Sequence, residues 1–119
     1  MTTPAWPTEL RLNPARDTLT ISFDNDERYA LAAEYLRVES PSAEVKGHGG
    51  GPRLTVGGKR HVTILRLEPV GNYAVRIVFE DGHDTGLYSW SLLRELGQTQ
   101  DEKWPAYLEE LAVQGLSRD

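Results

Sequence analysis

Residues 61–79 read His61-Val62-Thr63-Ile64-Leu65-Arg66-Leu67-Glu68-Pro69-Val70-Gly71-Asn72-Tyr73-Ala74-Val75-Arg76-Ile77-Val78-Phe79, and their reading decides the fold class. Two runs dominated by β-branched, aliphatic and aromatic residues flank Pro69-Val70-Gly71-Asn72, which supplies the glycine and asparagine that a tight reversal needs. The runs at 61–70 and 73–79 are therefore predicted to pair as antiparallel strands. Beyond them, Glu80-Asp81-Gly82-His83-Asp84 is a second turn and Thr85-Gly86-Leu87-Tyr88 a short extended piece. Ser89 is placed to cap a helix over 90–96 that Gly97 ends. A last helix over 103–114 puts Tyr107, Leu108, Leu111 and Gly115 near one narrow stripe, which gives it a loose hold on the body.

Upstream the same alternation recurs. Leu10 and Leu12 share one face of a strand, turn chemistry follows at 14–17, and Leu19, Ile21 and Phe23 share a face of the next strand. The acidic turn Asp24-Asn25-Asp26-Glu27 leads to a third short strand in which Tyr29 and Leu31 share a face. Good helix formers over 32–38 predict one or two helical turns, which Pro41 discourages from continuing. Residues 44–59 concentrate glycine, so 47–58 is expected to be the least ordered internal stretch, interrupted by a short extended segment at Leu54-Thr55-Val56. Grouped strands followed by helices imply an α+β fold, a small and mainly antiparallel sheet with helices packed on one face. At 119 residues the chain is expected to be a single domain.

Composition narrows function by exclusion. Hydrophobic residues make up 39% and charged residues 26%, a balance typical of a globular protein. A formal net charge of −5 argues against a phosphate backbone as partner, and no apolar run is long enough for a bilayer helix. The expected location is the cytoplasm, with no nucleic acid and no membrane as partners. With no cysteine, thiolate zinc, thiolate-ligated iron–sulfur and nucleophilic thiol chemistry are excluded for this chain.

Four groups of residues could carry chemistry. Gly47-His48-Gly49-Gly50-Gly51 could offer backbone N–H groups to an anion, although the Gly-Lys-Ser or Gly-Lys-Thr ending of a phosphate loop is missing. His83 with Asp81, Asp84 or His48 could approach a metal, but adjacent strand residues such as His83 and Asp84 point to opposite faces unless a turn bends them together. Ser40 or Ser42, near Glu39 and Glu44, could be a nucleophile, for which no oriented base or oxyanion donor is identified; turn and capping roles explain both serines as well. Tyr88 and Trp90, beside the His83 turn, could form a docking patch.

Three segments also resemble a known family in order. They are Leu36-Arg37-Val38-Glu39-Ser40-Pro41-Ser42-Ala43-Glu44, then Glu68-Pro69-Val70-Gly71-Asn72-Tyr73-Ala74, then Asp81-Gly82-His83-Asp84-Thr85-Gly86-Leu87-Tyr88-Ser89-Trp90. Over about residues 8–96 the chain resembles the DUF971 family, which is similar to the N-terminal domain of γ-butyrobetaine hydroxylase; residues 97–119 then form a helical extension. The resemblance implies no oxygenase activity, because the hydroxylase's separate iron and 2-oxoglutarate domain is absent. In the hydroxylase, the N-terminal domain holds a structural zinc through three cysteines and a histidine. Those positions fall on Ser40, Ser42, Val45 and His83, so the resemblance implies a lost zinc site with His83 as its one surviving ligand.

Relatives fused to P-loop ATPases of iron–sulfur cluster delivery imply a protein partner, with iron–sulfur or cofactor-assembly machinery as the implied candidate. No cofactor is expected. The leading expectation is a non-catalytic accessory or interaction module working through Ser40, Ser42, Glu44, His48, Asp81, His83, Asp84, Tyr88 and Trp90. A metal-binding or metal-carrying protein centred on His83, related to zinc or iron–sulfur chemistry, is the alternative. A small hydrolase or transferase ranks last.

Overall fold

Leu19, Ile21 and Phe23 alternate with Thr18, Thr20 and Ser22 along β2 (Thr18–Phe23), and the three apolar side chains are buried while the polar ones are not. The chain is described here from a computed structural model covering residues 6–41 and 55–119. Around β2 lie β1 (Pro7–Leu12) and β3 (Arg28–Ala32), paired antiparallel in the order β1-β2-β3. The short helix α1 (Ala33–Val38) leaves β3 directly. A second antiparallel sheet, β4-β5-β6, comprises β4 (Ile64–Val70), β5 (Ala74–Phe79) and β6 (Gly86–Ser89). Two helices close the order, α2 (Trp90–Gln98) and α3 (Gln100–Val113).

The expected α+β class and antiparallel pairing are present, but the strands divide into two three-stranded sheets rather than one. At the seam, the N–H of Ile64 donates to the carbonyl of Arg16 at 2.8 Å, and the Arg16 guanidinium donates to the carbonyl of Leu65 at 2.6 Å. Arg16 adopts φ 62° there, in the left-handed region, so a tight turn of the first sheet meets the start of the second. Residues from both sheets, α1 and α2 then share one core that includes Leu19, Leu31, Leu36, Ile77, Phe79 and Leu93. Fully burying a side chain of this size contributes roughly 1.5–3 kcal/mol.

Three boundaries differ from the sequence reading. The strand expected from residue 61 begins at Ile64, after an irregular approach through residues 55–63. Helix α2 does not stop at Gly97 but runs to Gln98. Gly97 is a contact glycine instead: a Cβ placed there would lie 2.3 Å from Cγ of Tyr29. Helix α3 starts three residues earlier than expected, because the N–H groups of Glu102 and Lys103 both donate to the Thr99 carbonyl and bring Asp101 and Glu102 into the positive end of the helix. Its buried residues are Tyr107 and Leu111 from the expected stripe, whereas Leu108 is exposed. Of the stretch expected to be least ordered, 47–58, residues 47–54 lie outside the described residues; Thr55 and Val56 do not form a strand.

Candidate functional site

The turn after β5 is held by its own aspartate. Gly82 takes φ 94°, its N–H donates to the Phe79 carbonyl, and the N–H of His83 donates to Asp81 Oδ1 at 3.0 Å. Asp81 Oδ2 accepts from Arg37 Nε at 2.9 Å and from Lys59 Nζ at 2.6 Å. All three side chains are mostly shielded, at 12–21% exposure. Burial pushes the Asp81 carboxyl up, but donation from Lys59, the His83 N–H and Arg37 outweighs it and holds the group down at about 2. One carboxylate thus pins the end of α1, the 55–63 segment and the β5–β6 turn together.

His83 continues the junction. Its Nε2 and Ser40 Oγ share a hydrogen bond at 2.9 Å, and its ring lies 6.0 Å from that of Phe79. Ser40 is buried, and Gly86 leaves it space, since a Cβ there would come within 2.7 Å of its Oγ. The neighbouring Tyr88 hydroxyl donates to the Leu36 carbonyl at 2.5 Å. Asp84 is exposed; Arg76 is raised by the Glu68 carboxylate that accepts from it, with a smaller contribution from Asp84.

The structure therefore brings Ser40, Asp81, His83 and Tyr88 together around the end of α1, while Ser42, Glu44 and His48 lie outside the described residues. One expectation is corrected. Tyr88 is fully buried and cannot be a docking residue, because it points from β6 into the core. Trp90 is half-buried against the same core, with its indole N–H donating to the Asn72 carbonyl at 2.9 Å. The exposed apolar residues of this region are Leu87, at 43%, and Tyr73, at 56%. Alternation along 85–88 carries the signal for Leu87, since it is the neighbour of an inward tyrosine. Arg37 and Lys59 escaped the sequence reading because their partner lies 44 and 22 residues away.

Among the described residues, the junction does not fit the thiolate zinc set that the resemblance implies. Ser40 offers a neutral hydroxyl where the related zinc site has a thiolate, and that hydroxyl is hydrogen-bonded to the one ring nitrogen it faces. Positions 42 and 45 carry serine and valine. Among the described residues no group of three or more histidines and carboxylates is arranged to hold an ion. As a nucleophile–base pair the Ser40–His83 contact is sealed: Ser40 is 3% exposed, and the Asp81 oxygens address the backbone of His83 and the two cations.

Comparison with known proteins identifies the scaffold. The family model described as gamma-butyrobetaine hydroxylase-like, N-terminal, matches residues 10–94. The chain belongs to that family. Two solution NMR structures resemble this gamma-butyrobetaine hydroxylase-like domain with TM-scores of 0.83. One is 47% identical and covers 97% of this chain and 90% of its own; the other is 46% identical and covers 99% and 90%. A crystal structure of a protein of unknown function from Acidithiobacillus ferrooxidans ATCC 23270, which belongs to the DUF971 family, has a TM-score of 0.63 at 35% identity, covering 76% of this chain and 91% of its own. A comparison with curated proteins gives no match. The match to the hydroxylase-like domain contains β2 to β6 and every described member of the Ser40–His83 junction, whereas α3 follows it.

Proposed function

We propose that this hydroxylase-like domain is a non-catalytic interaction module that docks a protein partner along β6 and its junction with α2. One observation carries the reading. The polar groups beside the turn, Asp81, Ser40 and Tyr88, all hold the fold, while Leu87 on β6 and Tyr73 ahead of β5 each present large apolar surface to solvent. Tyr73 sits where its carbonyl accepts from the N–H of Trp90, at the entrance to α2. Partners within iron–sulfur or cofactor-assembly machinery agree with the family resemblance.

Affinity capture from cell extract with the parent and a Leu87→Asp/Tyr73→Ala variant tests this. A protein retained by the parent and lost by the folded variant supports the module. Retention of the same proteins by both, or of none, removes it. Metal analysis of the dialysed protein serves the metal-carrier alternative: stoichiometric zinc or iron, lost in His83→Ala, would replace the module reading.

A further inference from the structure

Residues 117–119 lie in a groove built from α1, α3 and the 57–60 segment, and the groove reads them as a peptide. The N–H of Gly58 donates to the Ser117 carbonyl and the N–H of Arg60 to the Arg118 carbonyl, each at 2.9 Å. Gly57 makes room for this approach, since a Cβ there would lie 2.7 Å from the Ser117 carbonyl oxygen. The Arg118 guanidinium donates in a two-pronged pair to Glu34 at 2.7 and 2.9 Å. Glu34 is a buried carboxylate, 6% exposed, and such a group demands a cation of matching shape. Trp104 closes the pocket, with the guanidinium carbon 5.3 Å from its ring centroid. Finally, Asp119 Oδ1 accepts from Arg60 Nε at 2.5 Å.

Backbone donors, an acidic floor, an aromatic wall and a cation for the following residue together specify arginine followed by an acid. We propose that this groove is a peptide-binding site for such a pair, filled here in cis by Arg118 and Asp119 and filled in trans by an Arg-Asp segment of a partner protein. The segment reaches the groove through Gly115, at φ 69°, and Leu116, whose N–H donates to the Leu111 carbonyl at 2.8 Å. So short a tether gives the cis segment an effective concentration on the order of millimolar, which a partner must exceed to enter. The groove is separate from the β6 docking edge, so either can fail without the other.

The test uses the isotope-labelled full chain carrying Arg118→Ala, titrated with the blocked peptide Leu-Ser-Arg-Asp. Saturable shifts of the Gly58 and Arg60 amides are expected. Binding should be at least tenfold weaker to the parent, to an Arg118→Ala/Glu34→Gln chain, and for the peptide with alanine in place of arginine. A folded Arg118→Ala chain that gives no saturable shifts, or that binds no better than the parent, overturns the proposal. Should Arg118→Ala fail to fold, Arg118→Lys, which keeps a cation but not the two-pronged geometry, takes its place with the same expected and overturning results.

Discussion

Asp81 shows how much of this site rests on one residue. Its carboxylate accepts from two cations and a backbone N–H, and hydrogen bonds to charged groups contribute about 1.5–3 kcal/mol each when shielded. Partial solvent screening reduces that here, so Asp81→Asn should destabilise the fold by about 1–2 kcal/mol. The pH dependence has a definite sign. The folded value of about 2 lies below the ordinary 3.8, so the contribution is complete above the ordinary value and is lost as pH falls through the folded one. Denaturant unfolding of parent and variant should therefore differ at neutral pH and converge toward about pH 2. A constant difference across that window would remove Asp81 as the acid-sensitive anchor. None of this was legible from Glu80-Asp81-Gly82-His83-Asp84, which announces a turn but not the cations that Arg37 and Lys59 bring to it.

Elements were legible where a local pattern suffices. The alternation of Leu19, Ile21 and Phe23, the reversal around Gly71 and the Ser89 cap, which accepts from the Leu92 N–H at 3.1 Å, all depend on neighbours within a few residues. The turn of phrase "helix, then glycine" misleads at Gly97, because a glycine that ends a helix and one that admits a neighbouring ring look alike in sequence. The two roles predict opposite responses. Alanine in an exposed helix interior gains about 1 kcal/mol over glycine. Here its methyl would enter the Tyr29 ring, so Gly97→Ala should instead destabilise by about 1–3 kcal/mol. In a Tyr29→Ala background the same change should turn neutral or stabilising. A double-mutant cycle by chemical denaturation measures the difference, and equal effects in both backgrounds would deny the contact.

For the whole molecule, local reading reaches the α+β class but not the split into two sheets. Each hairpin has the same sequence signature whether the pairs join edge to edge or meet at a corner such as Arg16, and the core residues serve either arrangement. The Ser40–His83 junction was legible only through the family resemblance, since 43 residues separate the two.

The split bears on how the protein behaves when crowded. Two three-stranded sheets have β1, β3, β4 and β6 at their borders, where a single six-stranded sheet would have two border strands. Each border is a template on which a stray chain can add itself and start a fibre. Proline, lacking an N–H, interrupts such a template, and it occurs at Pro7 in β1 and at Pro69 within β4. Pro69→Val should leave the thermal midpoint within a few degrees, because Pro69 already sits in register opposite Val75, yet it should shorten the lag before light scattering rises in concentrated solution. An unchanged lag would mean that β4 is guarded by something other than its proline.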